Sequence, residues 1–272
     1  LRAAWSSSHS LKNLSLFYVG VYTEVPRLSI KTISSLVMRS LSPPPDTLRG
    51  IKFYRIEEDA PAAIGRMLQS EHGGFLESIC LREGRRREWF TPIARALRSN
   101  VSVTTLSFVR CNFCPTENRQ LFELYQSSPS LRGLSIDYRD VFNVQEGQER
   151  YDPCLLRDLV SGTTGGLTEL KLLSPCGWFR SDTEFEMCVN ALAMATSTLE
   201  SLQLSYLTKS RCKYLIGRLG SFPTLRQLGL KLDQSGFASG WKCDVLRAFI
   251  RSSSLWHVEI TGDLLDSDRD QA

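Results

Sequence analysis

The 272-residue chain lacks the compositional features that would direct it to a membrane or to nucleic acid. No apolar run approaches the ~20 residues that are needed to cross a bilayer. The 33 Lys+Arg and 29 Asp+Glu residues leave a net charge of only +4, which is too small to require a nucleic-acid or membrane partner. Hydrophobic residues make up 42% of the chain, which is ample for a well-packed core. We therefore expect a folded protein that does not associate with membranes.

Motifs for catalysis and for metal or cofactor binding are also missing from the sequence. Cys111 and Cys114 resemble half of a zinc or redox site, but no second pair at a suitable spacing accompanies them. The three histidines, His9, His72 and His257, are far apart. No zinc-protease helix motif, phosphate-binding loop or nucleophile elbow occurs. We expect no enzymatic activity, no metal and no cofactor.

Cysteine usage and the N-terminus bear on the cellular compartment. The eight cysteines are spread along the chain, which does not resemble the dense disulfide framework of a small secreted domain. We predict reduced, buried thiols and an intracellular protein of the cytoplasm or nucleus. The glycosylation sequons at Asn13 and Asn100 are interpreted as chance triplets. Residues 1–10 contain neither Met nor a secretory segment, and we interpret them as a truncated N-terminal segment.

What the chain has in abundance is a hexad with apolar residues at its first, fourth and sixth positions. Nine hexads occur, 26 to 37 residues apart, and five have nearly the same letters: LKNLSL, LRGLSI, LTELKL, LESLQL and LRQLGL. Side chains alternate between the two faces of a strand, so the fourth and sixth positions point to the same side. The nine hexads begin at residues 11, 48, 76, 103, 131, 167, 199, 225 and 255.

The segments between hexads show the apolar spacing of helices. Parallel pairing of successive short strands needs a crossover, and a helix supplies it. Asp182 is predicted to be the N-cap of the longest helix. The predicted helices are centred on apolar stripes that include Ile33, Ile64, Ile93, Leu121, Leu156, Val189, Leu215 and Leu246.

This strand–helix alternation resembles the leucine-rich-repeat family, and the helix-bearing spacing near 28 residues is similar to its ribonuclease-inhibitor-like class. The resemblance implies an α/β fold, a right-handed horseshoe solenoid with parallel strands on the concave face and helices on the convex face. It covers about nine repeats over residues 11–261, preceded by the truncated segment 1–10 and followed by residues 262–272, which we expect to be a disordered acidic tail. The repeats are degenerate, since only Cys111 fits the position where the family has Asn or Cys. A protruding loop is expected at 138–152.

A leucine-rich-repeat solenoid implies a protein-interaction module that binds its partner on the concave strand face. Degenerate helix-bearing repeats are similar to those of F-box-type ubiquitin-ligase receptors, so substrate recognition is one specific form of this function. We expect a protein partner, and either a monomer or part of a larger chain or complex. The outward strand positions predicted to bind the partner are Phe17, Lys52, Tyr54, Arg82, Asp137, Glu169, Lys171, Gln203, Lys231, Trp256 and His257.

An arginine cluster leaves an alternative open. Arg82, Arg85, Arg86 and Arg87 follow the third strand, with Glu83 and Glu88 beside them. The plain interpretation is a solvated loop. The functional one is an anion contact by Arg85, Arg86 and Arg87, and with it a nucleic-acid or anionic-surface binder. The signal for nucleic acid is weak, because no aromatic residues are interleaved with the arginines.

Overall fold

The chain divides into two units, Leu1–Arg132 and Gly133–Ala272. Each unit contains its own run of parallel strands with helices between them. The computed structural model describes residues 13–16, 49–54, 56, 60–70, 74–84, 88–111, 113–137, 166–173, 179, 181–195, 198–232 and 254–261.

The first unit alternates strands and helices. Its strands pair in parallel, each with the next along the chain. The described elements are β1 (Asn13–Leu16), β2 (Gly50–Tyr54), α1 (Ala60–Gln69), β3 (Ser78–Arg82), α2 (Thr91–Ser99), β4 (Thr105–Val109) and α3 (Pro115–Ser127).

The hexads set the register of this sheet. Ile51, Ile79 and Leu106, the fourth hexad positions of β2 to β4, lie side by side. All three are at most 1% exposed, so they form a buried row between sheet and helices. Burial of such a side chain stabilises the fold by roughly 1.5–3 kcal/mol. The sixth positions form a second row, in which Leu81 and Phe108 are fully buried.

Close helix packing completes the core of the first unit. The predicted stripes are confirmed, because α1 buries Ile64 and Leu68 and α2 buries Ile93 and Leu97. A Cβ atom added at Gly65 would lie 2.9 Å from the carbonyl oxygen of Pro92. Glycine is therefore required where α1 approaches the start of α2.

The second unit repeats this plan with longer elements. Its strands are again parallel and follow one another in chain order. The described elements are β5 (Gly133–Asp137), β6 (Glu169–Leu173), α4 (Asp182–Ala195), β7 (Ser201–Leu207), α5 (Lys209–Arg218), a 3-10 turn (Leu219–Ser221), β8 (Gln227–Leu232) and β9 (His257–Thr261).

The buried row of the second unit is also built from fourth hexad positions. Leu170, Leu202 and Leu228 are in register and are 0% exposed. In β9 the equivalent Val258 is half-buried. The second unit departs from regular pairing at Tyr206, where the register of β7 with β8 shifts.

A backbone junction recurs where each strand begins. The carbonyl oxygen of Arg49 accepts hydrogen bonds from the amides of Glu77 and Ser78, at 2.8 and 3.0 Å. In the second unit the carbonyl oxygen of Glu200 accepts from Arg226 and Gln227, both at 2.9 Å. The accepting carbonyl belongs to the second hexad position in each case. We call this arrangement the two-amide junction, and among the described residues it fixes the register of β3, β4, β7, β8 and β9 on their predecessors.

The described residues therefore form an α/β arrangement of parallel strands and helices, as the hexads predicted. None of the described helices is long and apolar enough to cross a membrane. The predicted helices around Ile33, Leu156 and Leu246, the loop 138–152 and the tail 262–272 lie outside the described residues, so these stay predictions.

Candidate functional site

The third and fifth hexad positions form an open face on each unit, opposite the buried row. In the first unit Lys52 is exposed, and Cys80 and Ser107 beside it are half-buried. One step further along the strands, Tyr54 and Arg82 are half-buried and in register. The predicted residues Lys52, Tyr54 and Arg82 are thus brought together on adjacent strands.

A cluster of four side chains lies at the carboxyl ends of β2, β3 and β4. The Arg82 guanidinium carbon is 5.1 Å from the centroid of the Tyr54 ring, within the range of cation–π attraction. Glu83 Oε1 lies 3.8 Å from Arg82 Nε and 3.7 Å from Arg110 Nη1, so one carboxylate faces two guanidinium groups. We call Tyr54, Arg82, Glu83 and Arg110 the edge cluster.

The backbone of the edge cluster is strained. Glu83 has φ 58° and Arg110 has φ 56°, in the left-handed region that favours glycine. Both follow their strand's sixth hexad position by two residues, and Tyr206, with φ 57°, holds the same position in the second unit. Each such residue costs on the order of 1–3 kcal/mol, and strain of this kind concentrates at functional sites. The left-handed backbone was not predicted at these positions, because none of the three residue types favours it.

The turn beneath the edge cluster holds this strained backbone in place. The amide of Gly84 donates to Cys111 Sγ at 3.4 Å, and the Cys111 thiol donates to the carbonyl of Leu81 at 3.3 Å. Burial raises the pKa of Cys111 to about 12, so the group remains a protonated donor. A Cβ atom at Gly84 would lie 2.5 Å from the Trp89 ring, which requires glycine there. The prediction that Cys111 occupies the turn position is confirmed.

Cys114 is the N-cap residue of α3. Its amide donates to Glu117 Oε2 at 2.9 Å, while Glu117 Oε1 accepts from the amide of Phe90, also at 2.9 Å. Glu117 is only 1% exposed. One buried carboxylate therefore satisfies backbone donors at the starts of both α2 and α3.

The open face of the second unit carries different chemistry. Lys171 Nζ lies 2.5 Å from Glu169 Oε1, so the two charges on β6 neutralise each other. Gln203 covers the bare backbone of Gly229, since a Cβ atom there would lie 2.9 Å from Gln203 Cγ. The Lys231 ammonium is 5.2 Å from the centroid of the Tyr206 ring.

His257 is the first residue of β9 and Trp256 directly precedes it, and both are exposed as predicted. Trp256 is 69% exposed, and its ring centroid is 6.0 Å from that of His257, which is also exposed. An indole exposed to this degree is the kind of side chain that anchors protein interfaces.

Asp137 does not fit the predicted exposure. It is 5% exposed, in register with the half-buried Leu173, and Ser205 on the same row is also buried. The carboxyl ends of β5 to β7 are thus more closely packed than the alternation of side chains predicted. Asp137 is therefore not accessible for partner binding, contrary to the prediction. Phe17 and residues 85–87 lie outside the described residues, so their predicted roles stay untested.

Asn100 was interpreted as a chance glycosylation sequon, and the structure shows a different role. Its Oδ1 accepts hydrogen bonds from the amides of Ser102 and Val103 and from the Ser102 hydroxyl, while Nδ2 donates to the carbonyl of Leu68. Asn100 is 8% exposed. The side chain ties the end of α2 to the beginning of the next strand and to α1, which leaves no room for a glycan.

A hydroxyl directly before the hexad joins successive repeats, and the sequence analysis missed this signal. Thr198 Oγ1 donates to the carbonyl of Leu167 at 3.2 Å, and Thr224 Oγ1 donates to that of Leu199 at 2.9 Å. Seven of the nine hexads are preceded by a hydroxyl residue: Ser10, Thr47, Ser102, Ser130, Thr198, Thr224 and Ser254.

An ion pair connects α4 and α5. Arg211 Nε donates to Asp182 Oδ1 at 2.8 Å, and Ser210 Oγ donates to Oδ2 at 2.6 Å. These two hydrogen bonds, that of Ser210 first, lower the pKa of Asp182. The predicted N-cap role of Asp182 is wrong, because Ser181 Oγ accepts the hydrogen bond from the amide of Glu184. Asp182 occupies the first turn and makes the connection to α5 instead.

Cysteine and metal chemistry add no further site within the described part of the chain. Cys80, Cys111, Cys114, Cys188 and Cys212 carry no disulfide. The described residues contain no group of three side chains that could hold a metal ion.

No family model and no curated protein sequence matches the chain. Among solved structures it is similar to the tropomodulin C-terminal domain of Caenorhabditis elegans, with 12% identity, 71% of this chain and 92% of that chain covered, and a TM-score of 0.35. It is also similar to the actin-binding site 2 of leiomodin-1, with 11% identity, 71% of this chain and 88% of that chain covered, and a TM-score of 0.34. A third similar structure is an internalin from Listeria monocytogenes, with 13% identity, 85% of this chain and 66% of that chain covered, and a TM-score of 0.34. The architecture described above rests on strand register and burial, not on these low scores.

Proposed function

We propose that this chain is a protein-binding module that uses the open faces of its strands, and that it does not catalyse a reaction. The observation that carries the proposal is the set of accessible charged and aromatic side chains that lie on or beside adjacent parallel strands, opposite a buried aliphatic row. In the first unit these are Lys52, Tyr54 and Arg82, and in the second they include Lys171 and Trp256.

Preorganisation supports this function. Arg82 is held by the Tyr54 ring and Glu83, and Lys231 is held by the Tyr206 ring. Side chains that are already ordered lose less conformational entropy when a partner binds. Tyrosine, tryptophan and arginine are also the residues that most often dominate interface energetics.

Two finer statements belong to the proposal. The curved, right-handed horseshoe implied by the family resemblance would place the open faces on its concave side. Substrate recognition in an F-box-type ubiquitin ligase would be one specific use of that side. The second statement predicts that ubiquitin-ligase subunits co-purify with the full-length protein.

The experiment that tests the proposal compares matched sets of substitutions by affinity capture and quantitative mass spectrometry. Tyr54→Ala/Arg82→Ala removes the first open face, and Lys171→Ala/Trp256→Ala removes the second. The control, Arg66→Ala/Arg95→Ala/Arg119→Ala, removes exposed cations from the helices. We expect at least one open-face variant to lose specific partners about tenfold, while the helix control retains them. An unchanged set of partners in both open-face variants would contradict the proposal.

We propose no second function. The nucleic-acid alternative depends on Arg82 together with residues 85–87, which lie outside the described residues. Arg82 itself is already placed over Tyr54 and beside Glu83. No observation in the described residues favours nucleic acid over protein.

A further inference from the structure

We propose that the outer edge of β9 binds an extended segment of a partner protein as an additional parallel strand, with Trp256 as the anchor. The inference rests on the proposed function and gives the binding mode of one partner, at a site beside the second open face. Its basis is the ninth hexad, residues 255–260, which differs from the preceding hexads in exposure, in residue type and in the use of one carbonyl oxygen.

The core positions of the ninth hexad are less buried than those of the hexad before it. Leu255, Val258 and Ile260 are each half-buried. The counterparts one repeat earlier are at most 1% exposed: Leu225, Leu228 and Leu230. Those leucines belong to a strand that has β7 on one side and β9 on the other, whereas β9 pairs with β8 alone among the described strands. A further strand beside β9 would bury the remaining apolar surface.

The residue at the second hexad position is also unusual in the ninth hexad. Trp256 occupies this position and is 69% exposed. An exposed indole becomes buried when a partner covers it, and tryptophan is among the residues that most often dominate interface energetics. The other eight hexads have a charged residue or a threonine at this position: Lys12, Arg49, Glu77, Thr104, Arg132, Thr168, Glu200 and Arg226.

The two-amide junction defines how a further strand would attach to β9. The carbonyl oxygen of Arg226 accepts hydrogen bonds from the amides of Trp256 and His257, at 3.0 and 3.1 Å. The carbonyl oxygen of Trp256 holds the same position one repeat later, and among the described residues no amide donates to it. An extended segment can supply two such amides, whereas most amides of a helix are already hydrogen-bonded within it. The edge of β9 therefore selects an extended partner.

The register of β8 with β9 predicts the side chains of the bound segment. Leu228 and Leu230 lie beside Val258 and Ile260, so apolar residues are expected at the same two alternating positions of the partner. Glu259 lies between these positions, is exposed and makes no ion pair with a described residue. A basic residue beside Glu259 would form a favourable cross-strand pair. The predicted partner segment is therefore extended, with a basic residue between two apolar ones.

The test measures binding of short labelled peptides to the full chain by fluorescence anisotropy. The first peptide has the letters of residues 167–173, LTELKLL, which carry the hexad pattern with lysine at the fifth position. A scrambled peptide of the same composition is its control. We expect saturable binding of LTELKLL and at least tenfold weaker binding of the scrambled peptide, because only the hexad places apolar residues beside Val258 and Ile260.

Three variants locate the binding site on the chain. Trp256→Ala should weaken the binding of LTELKLL at least tenfold and leave the Tm unchanged, since the side chain is mostly exposed. Met194→Ala is the matched control, because it removes an apolar side chain that is 89% exposed on α4, and it should leave peptide binding unchanged. Glu259→Lys should reverse the preference for LTELKLL over LTELELL, each preference being about threefold or more, which reports the register directly.

Equal binding of LTELKLL and the scrambled peptide would overturn the inference, as would unchanged affinity of Trp256→Ala or an unchanged peptide preference of Glu259→Lys. Residues 263–272 lie outside the described residues, and at least tenfold tighter binding after their deletion would show that the chain itself occupies the edge, which would also overturn it. Self-association that Trp256→Ala abolishes, measured by sedimentation velocity, would assign the edge to a second copy instead. If peptide binding fails while cellular partners still depend on Tyr54 and Arg82, the inference fails and the proposed function stands.

Discussion

The two units share one backbone scheme and differ in the side chains that tie their repeats together. In both, two-amide junctions set strands against their predecessors, at β3 and β4 in the first unit and at β7, β8 and β9 in the second. The first unit adds buried polar groups, above all Glu117 and Asn100, that each satisfy several backbone groups. The second relies on single hydroxyls and on the partly exposed ion pair of Asp182 with Arg211. The comparison shows that strand register does not depend on one particular set of connecting side chains.

The largest predicted difference is in thiol reactivity, between two buried cysteines of the second unit and two half-buried cysteines of the first, where Cys111 is the buried exception. Burial raises the pKa of Cys188 and Cys212 in the second unit to about 12, from an ordinary value of 9.0, which lowers the thiolate fraction about a thousandfold at neutral pH. In the first unit Cys80 and Cys114 are only half-buried. We expect iodoacetamide to alkylate Cys80 and Cys114 at least a hundredfold faster, measured by peptide mass spectrometry. In urea all four should react alike, and equal rates in the native protein would contradict the burial described for α4 and α5.

Core truncations test whether the units unfold separately. Leu106→Ala and Leu228→Ala each remove a side chain that is 0% exposed, and each should lower the free energy of unfolding by about 2–5 kcal/mol. Because repeat arrays are stabilised by nearest neighbours, hydrogen–deuterium exchange should increase mainly in the unit that carries the substitution. A uniform increase across both units would show that they form one cooperative block.

The polar ties should differ in strength. Asn100→Ala leaves two amides and one carbonyl without their side-chain partner, and we expect it to lower the free energy of unfolding by about 1–3 kcal/mol. Thr198→Val removes one hydrogen bond in the second unit and should cost about 0.5–1.5 kcal/mol. Urea denaturation of both variants gives the comparison. If Thr198→Val lowered the free energy of unfolding as much as Asn100→Ala or more, the predicted difference in polar connections between the units would be contradicted.

The smallest effect is expected from Asp182. Because its folded-state pKa is lowered, the carboxylate stabilises the fold above the unfolded-state pKa near 3.8, and this contribution is lost as the pH falls through the lower folded value. The side chain is 52% exposed, so solvent screening should keep the effect below about 1 kcal/mol. Between about pH 5 and about pH 2, the Asp182→Asn variant should lose less free energy of unfolding than the wild type, as measured by urea denaturation at each pH. If the variant and the wild type showed the same pH dependence, the ion pair of Asp182 with Arg211 would not stabilise the fold.

The sequence predicted the strands well because their cause is local and periodic. Leu81, Leu170 and Leu228 are buried for the same reason that they recur, since alternating side chains put the fourth and sixth hexad positions in the core. The helix stripes at Ile64 and Ile93 follow from helical periodicity in the same way.

The edge cluster could not be predicted in this way. Its geometry depends on the left-handed backbone of Glu83 and Arg110, and neither residue type favours that conformation. The structural role of Asn100 was not predicted, because it depends on the carbonyl of Leu68, 32 positions earlier in the chain. Asp137 was predicted to be exposed because the alternation of side chains places it on the open side of the sheet. Alternation does not predict how closely that side is packed, and Asp137 is buried.

The two-amide junction has a consequence for how the chain can vary. Since a new strand is positioned through its first two amides on a single oxygen of the strand before it, the length of the crossover has no influence on alignment. The junction is present across hexad spacings from 26 to 32 residues. Foreign peptides inserted into crossovers should therefore be tolerated, and the side chains of the open faces can be exchanged repeat by repeat to select new partners.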